Sequence, residues 1–96
     1  MQDIGKVLES LYKTIEERKK DLPENSYTAK LFKKGENKIL QKVGEEAVET
    51  ILALKSESKE RAISETADLL YHLLVALVNR GITLDEVASE LGRRMR

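Results

Sequence analysis

The sequence predicts an all-α bundle of four to five helices, and three observations predict it. Charged residues supply 35% and hydrophobic residues 41% of the chain, the balance of amphipathic helices packed on one another. Apolar side chains recur at three- and four-residue spacing along nearly the whole sequence. Five Gly and one Pro leave few turns, so the elements between them are long. A chain of 96 residues supports one hydrophobic core, and residues 1–96 are expected to form a single domain.

Ile4, Val7, Leu8, Leu11, Tyr12 and Ile15 mark one face of a first helix over residues 3–20. The run Asp21-Leu22-Pro23-Glu24-Asn25 breaks it. Ser26 then caps a short helix carrying Tyr27, Ala29, Leu31 and Phe32, and Gly35 supplies the left-handed position that ends it. A third helix is expected from Glu36 to about Lys55. The Ser56-Glu57-Ser58 turn leads into a fourth from Lys59 to Arg80, closed by Gly81. Thr83 and Glu86 have the Thr-x-x-Glu spacing of a capping box and open the last helix.

From Ala67 to Val78 the apolar side chains of the fourth helix point in nearly every direction, which requires burial on most sides. The other helices of so short a chain cannot supply that cover. A second copy is therefore expected to complete the bundle as a homodimer.

Composition also excludes several roles. Seventeen basic residues balance seventeen acidic ones, so no global positive field exists to hold nucleic acid or an anionic membrane. The absence of cysteine removes disulfides, thiolate metal ligands and a cysteine nucleophile. The N-terminal residues lack the apolar run of a signal peptide, and the longest nearly apolar stretch is well short of the roughly 20 residues that span a bilayer. A cytoplasmic protein with neither membrane nor nucleic acid as partner is expected.

The acidic residues are distributed unevenly. On the third helix Lys38, Lys42, Glu45, Glu46 and Glu49 share one stripe, while Ile39, Val43, Ala47, Ile51 and Leu54 lie on the other side. On the fourth helix Glu65 and Asp68 share a stripe with Arg61 and His72. Asp68 falls inside the apolar run, where a lone carboxylate is costly unless a cation joins it. That cation is either a Lys of another helix or a divalent ion. The short connection makes the third and fourth helices antiparallel, and Glu49 and Glu65 each stand about seven residues from it, at similar height. Glu-x-x-Glu then faces Glu-x-x-Asp, an all-oxygen set suited to Mg²⁺ or Mn²⁺. Zinc is disfavoured with no Cys and one His. His72 is read first as a core histidine bonded to a carboxylate or a backbone carbonyl, with metal support and proton transfer as the other readings.

Taken together, Glu45-Glu46-x-x-Glu49 followed by Glu65-x-x-Asp68 resembles the signature of the all-α, MazG-like nucleoside triphosphate pyrophosphatases. A fuller string is similar to the phosphoribosyl-ATP pyrophosphatase branch of that superfamily. It comprises Pro23-x-x-Ser26-Tyr27-Thr28-x-x-Leu31-Phe32, Lys42-Val43-Gly44-Glu45-Glu46-Ala47-x-Glu49 and Ala67-Asp68-Leu69-Leu70-Tyr71-His72. The similarity covers roughly residues 4 to 94. It implies a MazG-like helical bundle and a homodimer. It also implies Mg²⁺-dependent hydrolysis of 1-(5-phosphoribosyl)-ATP to the AMP derivative and pyrophosphate, the second step of histidine biosynthesis.

By position, the resemblance makes Glu46, Glu49, Glu65 and Asp68 metal ligands, and Glu45 a further ligand or the group that orients water. Lys42 first and Lys38 second would meet phosphates, against the plainer reading of both as solvated partners of the glutamates. Tyr27 and Thr28 are candidates for base or ribose contacts, against a helix-start cap and a core aromatic. Ser64 stands where many MazG-like proteins carry Lys, which withdraws any phosphate role from that position. Two alternatives stand beside this reading: a house-cleaning pyrophosphatase of aberrant dNTPs, and a non-catalytic helical dimerisation module. Residues 26–35 favour the histidine branch over the former, and Asp68 in the apolar run argues against the latter. A di-iron bundle would need Glu-x-x-His pairs, and none occurs.

Overall fold

The computed structural model describes residues 2–95, which form five α-helices and no strand. Helix α1 runs Ile4–Asp21, α2 Tyr27–Lys34, α3 Glu36–Ser56, α4 Lys59–Arg80 and α5 Leu84–Arg94. The elements follow the periodicity, and their ends follow side-chain chemistry. Asp3, Ser26, Ser58 and Thr83 each accept a backbone N–H of the first turn they precede, filling donors that a helix start leaves open. Thr83 and Glu86 complete the expected capping box.

Helix α1 ends on Leu22, a non-glycine residue in the left-handed region (φ 48°, ψ 54°) whose N–H reaches the Arg18 carbonyl at 2.9 Å. Pro23 forbids the helix to continue. Gly81 closes α4 in the expected left-handed conformation (φ 76°, ψ 25°). Gly35 differs from the expectation. Its φ of 96° is positive, but its ψ of 175° places it in a region essentially restricted to glycine. The reason is that one residue serves as both the last cap of α2 and the first of α3, so the chain must turn there without a linker.

Helices α3 and α4 form an antiparallel hairpin about Glu57 and Ser58, and α1 and α2 close over one side of it. The core lies between these four helices: Tyr12 and Ile15 from α1, Leu31 from α2, Ile39 from α3, and Leu74, Val75 and Val78 from α4. Burying Ile15, Ile39 or Val75 completely stabilises the fold by about 1.5–3 kcal/mol each. Helix α5 buries no residue. It is held through Leu84, which packs on the core, and through the Tyr12 hydroxyl, which donates to the Ile82 carbonyl at 2.7 Å.

The burial pattern of the single chain departs from apolar spacing at two places. Of the predicted apolar side of α3, Ile39 is buried, but Ile51 and Leu54 are 64% and 68% exposed in the single chain. The face of α3 that meets α4 carries Thr50 and Ala53 instead. On α4, Ala67 and Asp68 are exposed rather than enclosed by the apolar run. Both differences have one cause. Helices α1 and α2 cover one side of the hairpin, and no helix of the same chain covers the other. No single helix among the described residues is long and apolar enough to cross a membrane.

Candidate functional site

The reversal between α3 and α4 sets position 46 opposite positions 65 and 68. There the carboxylate oxygens of Glu46, Glu65 and Asp68 all lie within 4.8 Å of one another. Thr50, buried one turn after Glu46, pins this register. Its hydroxyl lies 2.7 Å from the Glu46 carbonyl of its own helix and 3.0 Å from the Glu65 carbonyl across the hairpin. The backbones that carry Glu46 and Glu65 on the two helices are thus tied by a single side chain.

The three carboxylates sit at different depths. Glu65 is 5% exposed, Glu46 is half-buried and Asp68 is open to solvent. Like charges so close need cations, and each helix supplies one. Arg61, one turn before Glu65, bonds its carboxylate and also Glu57 at 3.3 Å. Lys42, one turn before Glu46, pairs with Glu46 at 3.5 Å and Glu45 at 3.3 Å. The bond to Glu45 holds the Lys42 ammonium above its ordinary range against the opposing effect of burial. Glu45 is held below the usual carboxylate range by the Gln41 amide at 2.9 Å and then by Lys42, with Lys38 adding to it. Among the described residues no cation pairs with Asp68 or Glu49 (in contrast to Glu45, Glu46 and Glu65).

A second layer joins α2 to α4 beside the cluster. The Tyr27 hydroxyl and His72 Nε2 are 2.9 Å apart, and His72 Nδ1 lies 2.8 Å from the backbone carbonyl of Asp68. One residue along on each helix, Thr28 Oγ1 bonds the Tyr71 hydroxyl. The Tyr71 and His72 rings meet edge to face at 4.9 Å. Burial pushes both the Tyr27 and Tyr71 phenols up; at Tyr27 Lys42 opposes this and Glu46 and Asp68 add to it, and at Tyr71 the bond from Thr28 opposes it. His72 therefore follows the first reading made of it, a core histidine bonded to a backbone carbonyl.

Of the candidate residues, the structure brings Glu46, Glu65, Asp68 and Lys42 together and sets Tyr27 at their edge. Thr28 is occupied by Tyr71. Glu45 is turned to Lys42 and Gln41, Glu49 is exposed and outside the three-carboxylate group, and Lys38 makes no ion pair among the described residues. Thr50 was not singled out from the sequence, although its place four residues after Glu46 was readable. The Arg61 contact to Glu65 also follows from four-residue spacing.

The donor set fits a hard divalent cation. It is all oxygen, and its carboxylate oxygens lie within 4.8 Å of one another, near enough to converge on one ion. Fold and site thus define an all-α protein with a cluster of three carboxylates at the waist of a helix hairpin. The chain belongs to the phosphoribosyl-ATP pyrophosphohydrolase family, whose sequence profile matches residues 8–95. It is 58% identical over 90 residues to the phosphoribosyl-ATP pyrophosphatase of Metallosphaera sedula, covering 94% of this chain and 97% of that one. The Haloarcula marismortui protein of the same name is 48% identical over 94 residues, 96% of each chain. A bifunctional histidine biosynthesis protein of Caldanaerobacter subterraneus is 48% identical over 93 residues, 97% of this chain and 45% of its own length.

Proposed function

We propose that this protein hydrolyses 1-(5-phosphoribosyl)-ATP to 1-(5-phosphoribosyl)-AMP and pyrophosphate, the second step of histidine biosynthesis, as a single-domain cytoplasmic homodimer. Family membership supports the substrate, and the convergence of Glu46, Glu65 and Asp68 carries the chemistry. Those three, with Glu49 added from the exposed side of α3, are the ligands of Mg²⁺, or of Mn²⁺ in its place. When bound, the ion withdraws charge from the phosphate oxygens and lowers the pKa of a coordinated water.

The chain's own groups do the rest. Glu45, kept ionised by Gln41 and Lys42, accepts a hydrogen bond from the attacking water and orients it. Water oxygen bonds to phosphorus, the α,β-anhydride P–O bond breaks, pyrophosphate leaves and the proton passes to solvent. Lys42, and Lys38 one turn before it, meet the phosphates as mobile point charges. Tyr27 and Thr28 border the nucleoside side of the site. A second copy covers the open side of the hairpin, where Ile51, Leu54 and Ile63 are exposed. An open apolar groove there is lined by Leu54, Ala62, Ile63, Ala67 and Leu70.

Pyrophosphate release tests this directly, with phosphoribosyl-ATP and dNTPs in parallel and Mg²⁺ supplied or chelated. Turnover confined to phosphoribosyl-ATP and lost on chelation is expected. Preference for dNTPs would move the protein to the house-cleaning branch, and no release from a folded sample would remove the catalytic reading. Light scattering is expected to give twice the chain mass.

A further inference from the structure

We propose that His72 is a positioning residue that turns the Tyr27 hydroxyl into an obligate hydrogen-bond acceptor, so that Tyr27 recognises an N–H or O–H donor of the nucleoside and not a phosphate oxygen. The inference deepens the reading of the site given above and rests on it for the identity of the substrate.

His72 Nδ1 lies 2.8 Å from the Asp68 carbonyl oxygen, and a carbonyl can only accept, so Nδ1 carries the hydrogen. In the neutral imidazole Nε2 is then a bare acceptor. Its partner at 2.9 Å is the Tyr27 oxygen, so Tyr27 donates. A phenol has one proton. Once it is committed to His72, the oxygen offers only lone pairs to anything else.

Location gives this polarity a use. Tyr27 is 50% exposed, and its hydroxyl feels Lys42, Glu46, Asp68 and Glu45, so the phenol stands at the rim of the carboxylate cluster. A phenol left unpartnered there would turn its proton toward a carboxylate or a substrate phosphate, both charged and stronger acceptors. His72 prevents this. It is 5% exposed and forms a triangle of rings with Tyr71 and Tyr27, whose centroids lie 4.9 and 5.8 Å from its own and 6.2 Å from each other, and the neighbouring bond between Thr28 and Tyr71 keeps α2 from sliding along α4. The only groups of the substrate that can satisfy the outward lone pairs are a ribose hydroxyl or an N–H of the base.

His72 is the one histidine of the chain, so a long-range ¹H–¹⁵N correlation spectrum of the untagged, full-length protein contains a single imidazole. The expected spectrum shows a proton on Nδ1 and an accepting Nε2, and Tyr27→Phe shifts Nε2 toward a free imine nitrogen while leaving Nδ1 protonated. A proton on Nε2, or an Nε2 indifferent to Tyr27→Phe, would overturn the assignment. With phosphoribosyl-ATP, Tyr27→Phe should raise KM by roughly 3- to 10-fold, the loss of one neutral hydrogen bond, with kcat nearly unchanged. His72→Leu should raise KM by the same factor, and the double variant no further. An unchanged KM, or additive effects, refutes recognition through this pair. Two analogues separate the donors, one lacking the 2′- and 3′-hydroxyls of the nucleotide ribose and one lacking those of the N1-linked ribose: a penalty that disappears with either assigns that ribose, and one that persists with both assigns the base N–H. Absence of turnover in the unaltered protein would overturn the activity and the recognition together, while the spectrum by itself decides the tautomer.

Discussion

Thr50→Val tests whether the cross-hairpin hydroxyl positions the site. The change keeps volume and β-branching and removes one O–H. That proton is shared between the Glu46 carbonyl at 2.7 Å and the Glu65 carbonyl at 3.0 Å; its loss costs about 1 kcal/mol. The new methyl gains up to ~0.8 kcal/mol of burial, but it cannot sit at those distances, because carbon and carbonyl oxygen approach only to about 3.3 Å. The hairpin must part by a few tenths of an ångström, and the gain is largely forfeited. The net expectation is a loss of about 1 kcal/mol, a fall in Tm of roughly 4–8 °C for a domain of this size. Thr50→Ser gives up the methyl for a similar cost and keeps the bridge. The two variants should therefore be alike in urea unfolding, followed at one fixed protein concentration, and unlike in pyrophosphate release. Valine should lose about 10- to 100-fold, as supporting bonds to metal-site residues typically do, and serine should stay near the unaltered rate. Full activity in Thr50→Val, or an equal loss in both, would refute the bridge as a positioning device.

Other outcomes follow from the same structure. Gly35→Ala should destabilise by about 1–3 kcal/mol although nothing lies within 4 Å of the added Cβ, because the cost is backbone conformation, whereas Gly92→Ala, equally open and helical, should stabilise by roughly 0.5–1 kcal/mol; thermal melts of the pair check the contrast. Burial raises the phenols of Tyr12, Tyr27 and Tyr71, so the folded chain holds these protons more tightly than the unfolded one. That stability is complete below the ordinary phenol value near pH 10 and is lost as pH rises through the folded values, and in alkaline urea titrations Tyr12→Phe should reduce the loss without abolishing it. Glu49→Gln and Asp68→Asn should abolish turnover with circular dichroism unchanged, since each removes a proposed ligand from an exposed position; retained activity in both would remove the ligand set. Arg61→Met leaves the buried Glu65 carboxylate without its partner, so it should lower the melting temperature of the metal-free protein, and Mg²⁺ should restore part of the loss.

The elements were legible because local chemistry decides them. Ser26, Thr83 and Gly81 cap or close their helices where a reading of side-chain acceptors and left-handed positions puts them. Gly35 was readable as a stop but not in its conformation, because the absence of a linker between α2 and α3 is a tertiary fact. The acidic stripes were legible from three- and four-residue spacing and from the short turn that makes the helices antiparallel. Which side of α3 is buried was not. Apolar spacing groups Ile51 and Leu54 with Ile39 on one side, but the hairpin contact uses Thr50 and Ala53, a seam of small residues that lets two helices approach. Periodicity counts apolar residues and is blind to a polar one that bonds across the contact. It likewise placed Asp68 inside an apolar run, whereas the costly buried carboxylate is Glu65.

That exchange of roles explains how three acidic groups are tolerated in one place. The deepest, Glu65, has the guanidinium, whose fixed fork suits a buried carboxylate, and the half-buried Glu46 has the ammonium of Lys42. Asp68 pairs with no cation among the described residues and stays exposed. Charge is therefore compensated in proportion to burial before any ion arrives, and the hairpin can be rigid without a metal. On the proposed reading this sets the order of events. Asp68, which pairs with no cation among the described residues, would be the open ligand for a divalent ion, and Glu46 would be the ligand whose hold on Lys42 such an ion weakens. Lys42 then becomes available to the phosphates at the moment the site is ready to use them. Arg61, anchored also by Glu57, is the less easily displaced of the two, so Lys42→Ala should raise the KM for substrate, whereas Arg61→Met, which frees Glu65 of a competing cation, should leave KM near the unaltered value and tighten Mn²⁺ binding. Isothermal titration with Mn²⁺ and steady-state KM for each variant separate the two cations, and an equal effect of both variants on both quantities would refute the division.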